Sequence, residues 1–192
     1  MPTHSSLELG VNTENARRIL ELAREVGALQ EGEFTLTSGK KSNYYFEGKR
    51  LTLTPEGAYL VGKVVFDELA DVGVDAIGGV AIGGYPMVAA VALVSHLEGK
   101  PLPSFVVREE TKEHGTRRKI EGGLKEGSRV AIVDDVITTG GSVSRAIEAA
   151  EAANCKVVKV IVVVDRHEGG SDKLKQQGYD FTGIINLRPA AG

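Results

Sequence analysis

One stretch, residues 129–145, constrains the fold more than any other part of the chain. Arg129, Val130, Ala131, Ile132 and Val133 make a short, apolar, β-branched run of the kind that lies buried in a parallel sheet. Asp134 and Asp135 follow at the point where that strand is expected to end. Thr138, Thr139, Gly140, Gly141 and Ser142 then lead into an Ala-rich helical pattern over 143–153. A small, hydroxyl- and glycine-rich turn between a strand and a helix N-terminus presents free N–H groups to an anion, and the helix dipole favours negative charge there. Set beside two carboxylates, such a turn predicts a ligand that carries both a phosphate and sugar hydroxyls.

The flanking sequence repeats the strand–helix alternation. Residues 1–11 are polar and irregular and read as a frayed terminus. Asn12 or Thr13 can cap a helix carrying Ile19, Leu20, Leu22, Ala23 and Val26, ended by Gly27. Residues 34–46, with Thr and aromatic residues on both sides of Ser38-Gly39, read as a hairpin-like element. Phe34, Tyr44, Tyr45 and Phe46 fall within it, in a chain only 5% aromatic, so the cluster has a purpose. It serves either as a small hydrophobic core or as a platform that stacks a planar ligand. Thr54-Pro55-Glu56 opens the next helix. Strands are then predicted near 76–81, 105–107, 157–164 and 181–187, with helices between them and a second glycine-rich turn at Gly83-Gly84. Residues 108–123 are charged and follow neither period, as expected of a functional loop. This alternation predicts a single α/β domain over 1–192, with a mostly parallel sheet and ligands at the carboxyl ends of its strands. Loops 81–86, 108–123, 134–142 and 165–170 should meet there.

Composition excludes several alternatives. A net charge of −3 gives no basic balance pointing to nucleic acid. The longest apolar run, 157–164, is interrupted by Lys159 and is too short for a bilayer span. No basic segment followed by an apolar one opens the chain, so no secretory signal is expected. The lone Cys155 has no intramolecular partner, fits a reducing compartment and reads as a small buried side chain. A cytoplasmic protein without a membrane segment is the expectation.

Residues 130–142 resemble the 5-phosphoribosyl-1-pyrophosphate (PRPP) signature of the type I phosphoribosyltransferases: a hydrophobic strand, two acidic residues, an apolar pair, then Thr-Thr-Gly-Gly-Ser. Three further segments resemble the members of that family that act on orotate. They are residues 34–46, similar to an N-terminal orotate-binding element; Arg108 with Lys112, Glu113, His114 and Gly115, similar to a mobile catalytic loop lent to a neighbouring subunit; and Asp165-Arg166, similar to the pyrimidine-binding position. The resemblance implies a type I phosphoribosyltransferase-like α/β fold, with a central mostly parallel sheet flanked by helices. It also implies a small N-terminal hood, built from about 12–50 and the C-terminal end, and a flexible catalytic loop.

It implies as well a Mg²⁺-dependent transfer of ribose 5-phosphate from PRPP to orotate, in a homodimer, giving orotidine 5′-monophosphate and pyrophosphate. Thr138, Thr139, Gly140, Gly141 and Ser142 would hold the 5′-phosphate, and Gly83 and Gly84 the pyrophosphate, through backbone N–H groups. Asp134 and Asp135 would accept from the ribose hydroxyls, directly or through water on the metal. Mg²⁺ would come mainly with PRPP, so no dedicated metal site is expected. Orotate would meet Ser38, Gly39, Lys40, Tyr45, Phe46, Thr138 and Arg166. Arg108, Lys112 and His114 would neutralise the leaving group. The alternatives are transfer to another base, and a PRPP-sensing regulator without catalysis. Three positions depart from the family pattern, with Thr37, Gly83 and Glu109 where lysine is common. Lys40, Lys41, Arg117 and Arg118 are the cations available to compensate.

Overall fold

The computed structural model describes residues 6–35, 41–108 and 119–188. Their elements are, in chain order, β1 (Ser6–Leu9), α1 (Glu14–Glu25), β2 (Leu29–Thr35), β3 (Lys41–Phe46), α2 (Gly48–Thr52), α3 (Pro55–Glu68), β4 (Ala76–Val80) and α4 (Gly84–Leu97). There follow β5 (Ser104–Val107), β6 (Ile120–Gly122), β7 (Arg129–Ile137), α5 (Gly141–Ala152), β8 (Lys156–Asp165), α6 (Gly170–Gln176) and β9 (Phe181–Arg188). Seven strands form one sheet in the order β1-β9-β8-β7-β4-β5-β6, and β2 with β3 forms a separate antiparallel pair. The five central strands are mutually parallel; β1 and β6 add antiparallel edges. The mostly parallel, helix-flanked sheet expected from the alternation is therefore present.

Side-chain alternation along β7 divides the core. Ala131 and Val133 pack in a cluster with residues of α1, α3 and α4, whereas Val130 and Ile132 pack in one with Val143, Ala146 and Ile147 of α5. Buried on both faces, the strand can be apolar at every position, as its sequence is. Helix starts are fixed locally. The Thr13 hydroxyl accepts from Ala16 N at 3.2 Å, and Thr54 Oγ1 accepts from Gly57 N at 3.0 Å, with Pro55 at the first helical position. Cys155 is buried, with its thiol 3.3 Å from Lys125 O. Among the described residues no helix is long and apolar enough to cross a membrane.

Three sequence expectations need correction. Residues 6–9 are not frayed: β1 pairs with β9, Leu7 opposite Leu187 and Leu9 opposite Ile185, and these two leucines pack against the core, so a four-residue segment is held by a partner about 180 positions away. Within 108–123, residues 120–122 form the edge strand β6 along β5. Most important, β7 does not end at Asp134. It runs to Ile137, because the ten-residue β8 continues the ladder on one side, pairing Asp134 with Val162 and Ile137 with Asp165.

Candidate active site

The extension of β7 creates the site. On the β4 side, pairing stops at Gly79 and Val133, and β4 turns away after Val80. The last third of β7 thus borders a crevice on that side while remaining hydrogen-bonded to β8 on the other. The crevice lies where strand order reverses, β4 leading to β5 in one direction and β7 to β8 in the other, which is where open α/β sheets take ligands.

Asp134 and Asp135 sit on this border, 6% and 7% exposed. Asp135 N donates to Asp134 Oδ1 at 2.9 Å. The Asp135 carboxylate is wedged between Gly48, which opens α2, and Gly83, before α4. A Cβ at either glycine would collide with it, and one at Gly83 would also come within 3.0 Å of Asp134 Oδ1. Gly83 is therefore more than a missing lysine: in this arrangement the carboxylates fill the space a side chain would need. Burial pushes the Asp135 carboxyl above its ordinary value, and the nearby Lys49 ammonium and the Asp134 side chain pull it back. Lys49, an exposed cation next to Gly48, went unnoticed in the sequence because its link to Asp135 spans 86 positions.

Beside the carboxylates a pocket of about 230 Å³ is lined by Asp134, residues 136–143 and Arg145. Gly140 precedes α5 with φ of +83°, a left-handed conformation that favours glycine, and no side chain caps the helix there. The first N–H groups of α5 are left to face the pocket, with Ser142 and Arg145, 3.4 Å apart, on its rim. The cradle rests on the turn before α6. Gly170 N donates to Thr138 O at 2.9 Å, and a Cβ on Gly170 would lie 2.6 Å from both Gly140 N and Thr138 O. Gly170 is a second residue that sequence reading passed over.

Arg166 belongs to the same turn, its N donating to Ile137 O at 3.1 Å. Its guanidinium is 10% exposed, pairs with Glu168 Oε1 at 3.0 Å, and donates from Nη2 to Ser42 Oγ at 3.0 Å. The structure thereby brings Arg166 to β3. The two aromatic candidates separate, however. Phe46 is a core residue, 7% exposed and packed in the main cluster, on the strand face of Ser42 and Tyr44. Tyr45 leaves on the other face, 40% exposed, its ring centroid 5.7 Å from that of Phe34. Strand alternation cannot aim both at one ligand.

Arg108 directly follows β5 at the base of the charged segment, its Nη1 2.8 Å from Glu121 Oε1. Lys112, His114, Ser38, Gly39, Lys40, Thr37, Glu109, Arg117 and Arg118 lie outside the described residues.

A parallel sheet whose carboxyl edge joins an acidic pair to a glycine-rich cradle defines a phosphoribosyltransferase, and the family model described as phosphoribosyl transferase domain matches residues 54–184. The orotate phosphoribosyltransferase of Aquifex aeolicus is 38% identical over 179 residues, covering 93% of this chain and 97% of its own. That of Mycobacterium tuberculosis, crystallised with Fe(III) dicitrate, superposes with a TM-score of 0.78 at 32% identity, covering 90% of this chain and 96% of its own. Its complex with PRPP gives a TM-score of 0.74 at 30% identity over the same shares. The chain belongs to the orotate phosphoribosyltransferases.

Proposed function

We infer that the protein transfers ribose 5-phosphate from PRPP to the ring nitrogen of orotate, releasing pyrophosphate and orotidine 5′-monophosphate, a step of pyrimidine nucleotide biosynthesis. The observation that carries this reading is the pocket itself, where Asp134 of the buried acidic pair meets the uncapped N-terminus of α5, with Arg166 N bonded to Ile137 O at the end of the same strand. The curated relatives share this name over nearly their whole length, and one solved relative is a PRPP complex.

The residues divide the work. The backbone of 138–142 and its hydroxyls donate to the 5′-phosphate. Asp134 and Asp135 accept from the ribose hydroxyls and hold the sugar while its anomeric carbon gains oxocarbenium character. Arg108, with Lys112 and His114, neutralises the departing pyrophosphate. Asp134 and Asp135 are also hard oxygen donors, two rather than a cage, so they fit Mg²⁺ that arrives with PRPP oxygens; bound there, the ion would offset charge on the leaving group. Lys49, whose charge already reaches Asp135, adds a cation on the side where lysine is missing at Gly83.

The functional unit is a homodimer. Of the exposed large hydrophobic side chains, Leu53, Tyr59, Ile82, Tyr85, Leu93 and Leu97 all fall within 53–97, the segment that includes α3, α4 and the Gly83 turn. Exposed apolar side chains on these elements are what a partner subunit would cover, and a loop lent between subunits requires a partner. A compartment without disulfide chemistry, the cytoplasm, suits the enzyme.

The test is an assay of PRPP with Mg²⁺ against orotate, uracil, adenine and hypoxanthine. Turnover with orotate alone is the expected result; turnover with another base and none with orotate overturns the reading.

A further inference from the structure

We propose that Glu168 and Ser42 act as positioning residues for Arg166, occupying one edge of its guanidinium so that the opposite edge is presented to the acceptor base. The proposal rests on Arg166 as the residue that receives orotate. It concerns how that arginine is aimed.

A guanidinium carries five N–H donors in a rigid plane, with two forks: Nε with Nη2 along its side, and Nη1 with Nη2 at its end. Glu168 and Ser42 stand along the side fork. Glu168 Oε1 lies 3.0 Å from Nε, and Ser42 Oγ accepts from Nη2 at 3.0 Å. Ser42 cannot swing away freely. Its hydroxyl donates to Tyr44 O at 2.8 Å and accepts from Tyr44 N at 3.2 Å, so the bond from Arg166 fills its remaining acceptor site. Among the described residues nothing takes the Nη1 hydrogens or the second Nη2 hydrogen, and these form the end fork. A planar anion such as a carboxylate matches that fork with two parallel bonds.

Charge leads to the same arrangement. A guanidinium whose side chain is only 10% exposed needs a counter-charge, and Glu168, itself 18% exposed, pairs with it. Because Ser42 is on β3 and Arg166 follows β8, their bond also ties the hood strand to the orientation of the arginine across 124 positions.

Steady-state kinetics with both substrates, on the full-length protein, test this. Glu168→Ala should raise the KM for orotate roughly tenfold or more, the worth of a close, largely buried ion pair, with the KM for PRPP unchanged. Glu168→Gln, which keeps the shape of the side chain but not its charge, should give a clearly smaller defect than Glu168→Ala. Ser42→Ala should raise the orotate KM by a smaller factor, again without moving that for PRPP. An unchanged orotate KM in Glu168→Ala, or equal defects in Glu168→Ala and Glu168→Gln, overturns the proposal. Should Glu168→Ala fail to fold, an unchanged orotate KM in Ser42→Ala does so. Arg166→Ala separates the two levels: if it leaves the orotate KM untouched, the assignment of the base site itself is wrong, and not only its positioning.

Discussion

Burial disfavours the charged form of Asp135. Its carboxyl is raised chiefly by burial, so the folded state binds a proton more tightly than the unfolded chain does. Stability is then lost as pH rises from the ordinary carboxyl value of 3.8 through the raised folded value, and that loss persists at neutral pH. Asp135→Asn should raise the melting temperature of the protein at pH 7 to 8, with the gain shrinking as pH falls through the raised folded value and gone below 3.8; thermal scans across pH read it directly. The same variant should lose activity by two orders of magnitude or so, since its amide can no longer serve as a charged acceptor. Lys49 offsets the raised value. Removing its charge in Lys49→Ala should push Asp135 further up, so the acid limb of the pH profile of kcat/KM for PRPP moves to higher pH. An unmoved limb would mean that Lys49 plays no part in setting that carboxylate.

At the level of elements, the cradle depends on two glycine turns packed back to back. Gly140 supplies the left-handed residue that starts α5 without a cap, and Gly170 allows the turn before α6 to touch the cradle backbone. The contact is between backbones, so no side chain can move aside to relieve it. Gly170→Ala should displace residues 138–140, raising the KM for PRPP more than tenfold and costing about 1–3 kcal/mol of stability, the usual range for overpacking. Calorimetry and PRPP titration are the measurements. The elements themselves were largely legible in sequence, since Thr13, Thr54 and Pro55 start helices by contacts within four residues. The length of β7 was not. An aspartate pair suggests a strand end on propensity, but β8 is long enough to carry the ladder past it.

At the level of the whole molecule, the crowding of exposed apolar side chains into 53–97 is what a monomer would avoid. Charge placed there by Leu93→Glu with Leu97→Glu should dissociate the proposed homodimer, shifting the mass seen by light scattering from two chains to one. Activity should fall with the dimer population if a neighbour's loop completes each site. A monomeric parent protein would remove this part of the reading.

The sequence by itself determined what is contiguous: the strand, acidic pair, phosphate turn and helix of 129–145, the alternating α/β order, and the helix starts. Each depends on neighbours only a few residues apart, so composition and spacing carry it. Tertiary structure alone decided what meets across the chain. Gly48 and Gly83 closing on Asp135, Ser42 reaching Arg166, Gly170 under the cradle, and β1 on β9 all join distant segments. It also showed that Phe46 belongs to the core while Tyr45 faces outward, because a strand sends successive side chains to opposite faces and packing chooses which one is buried.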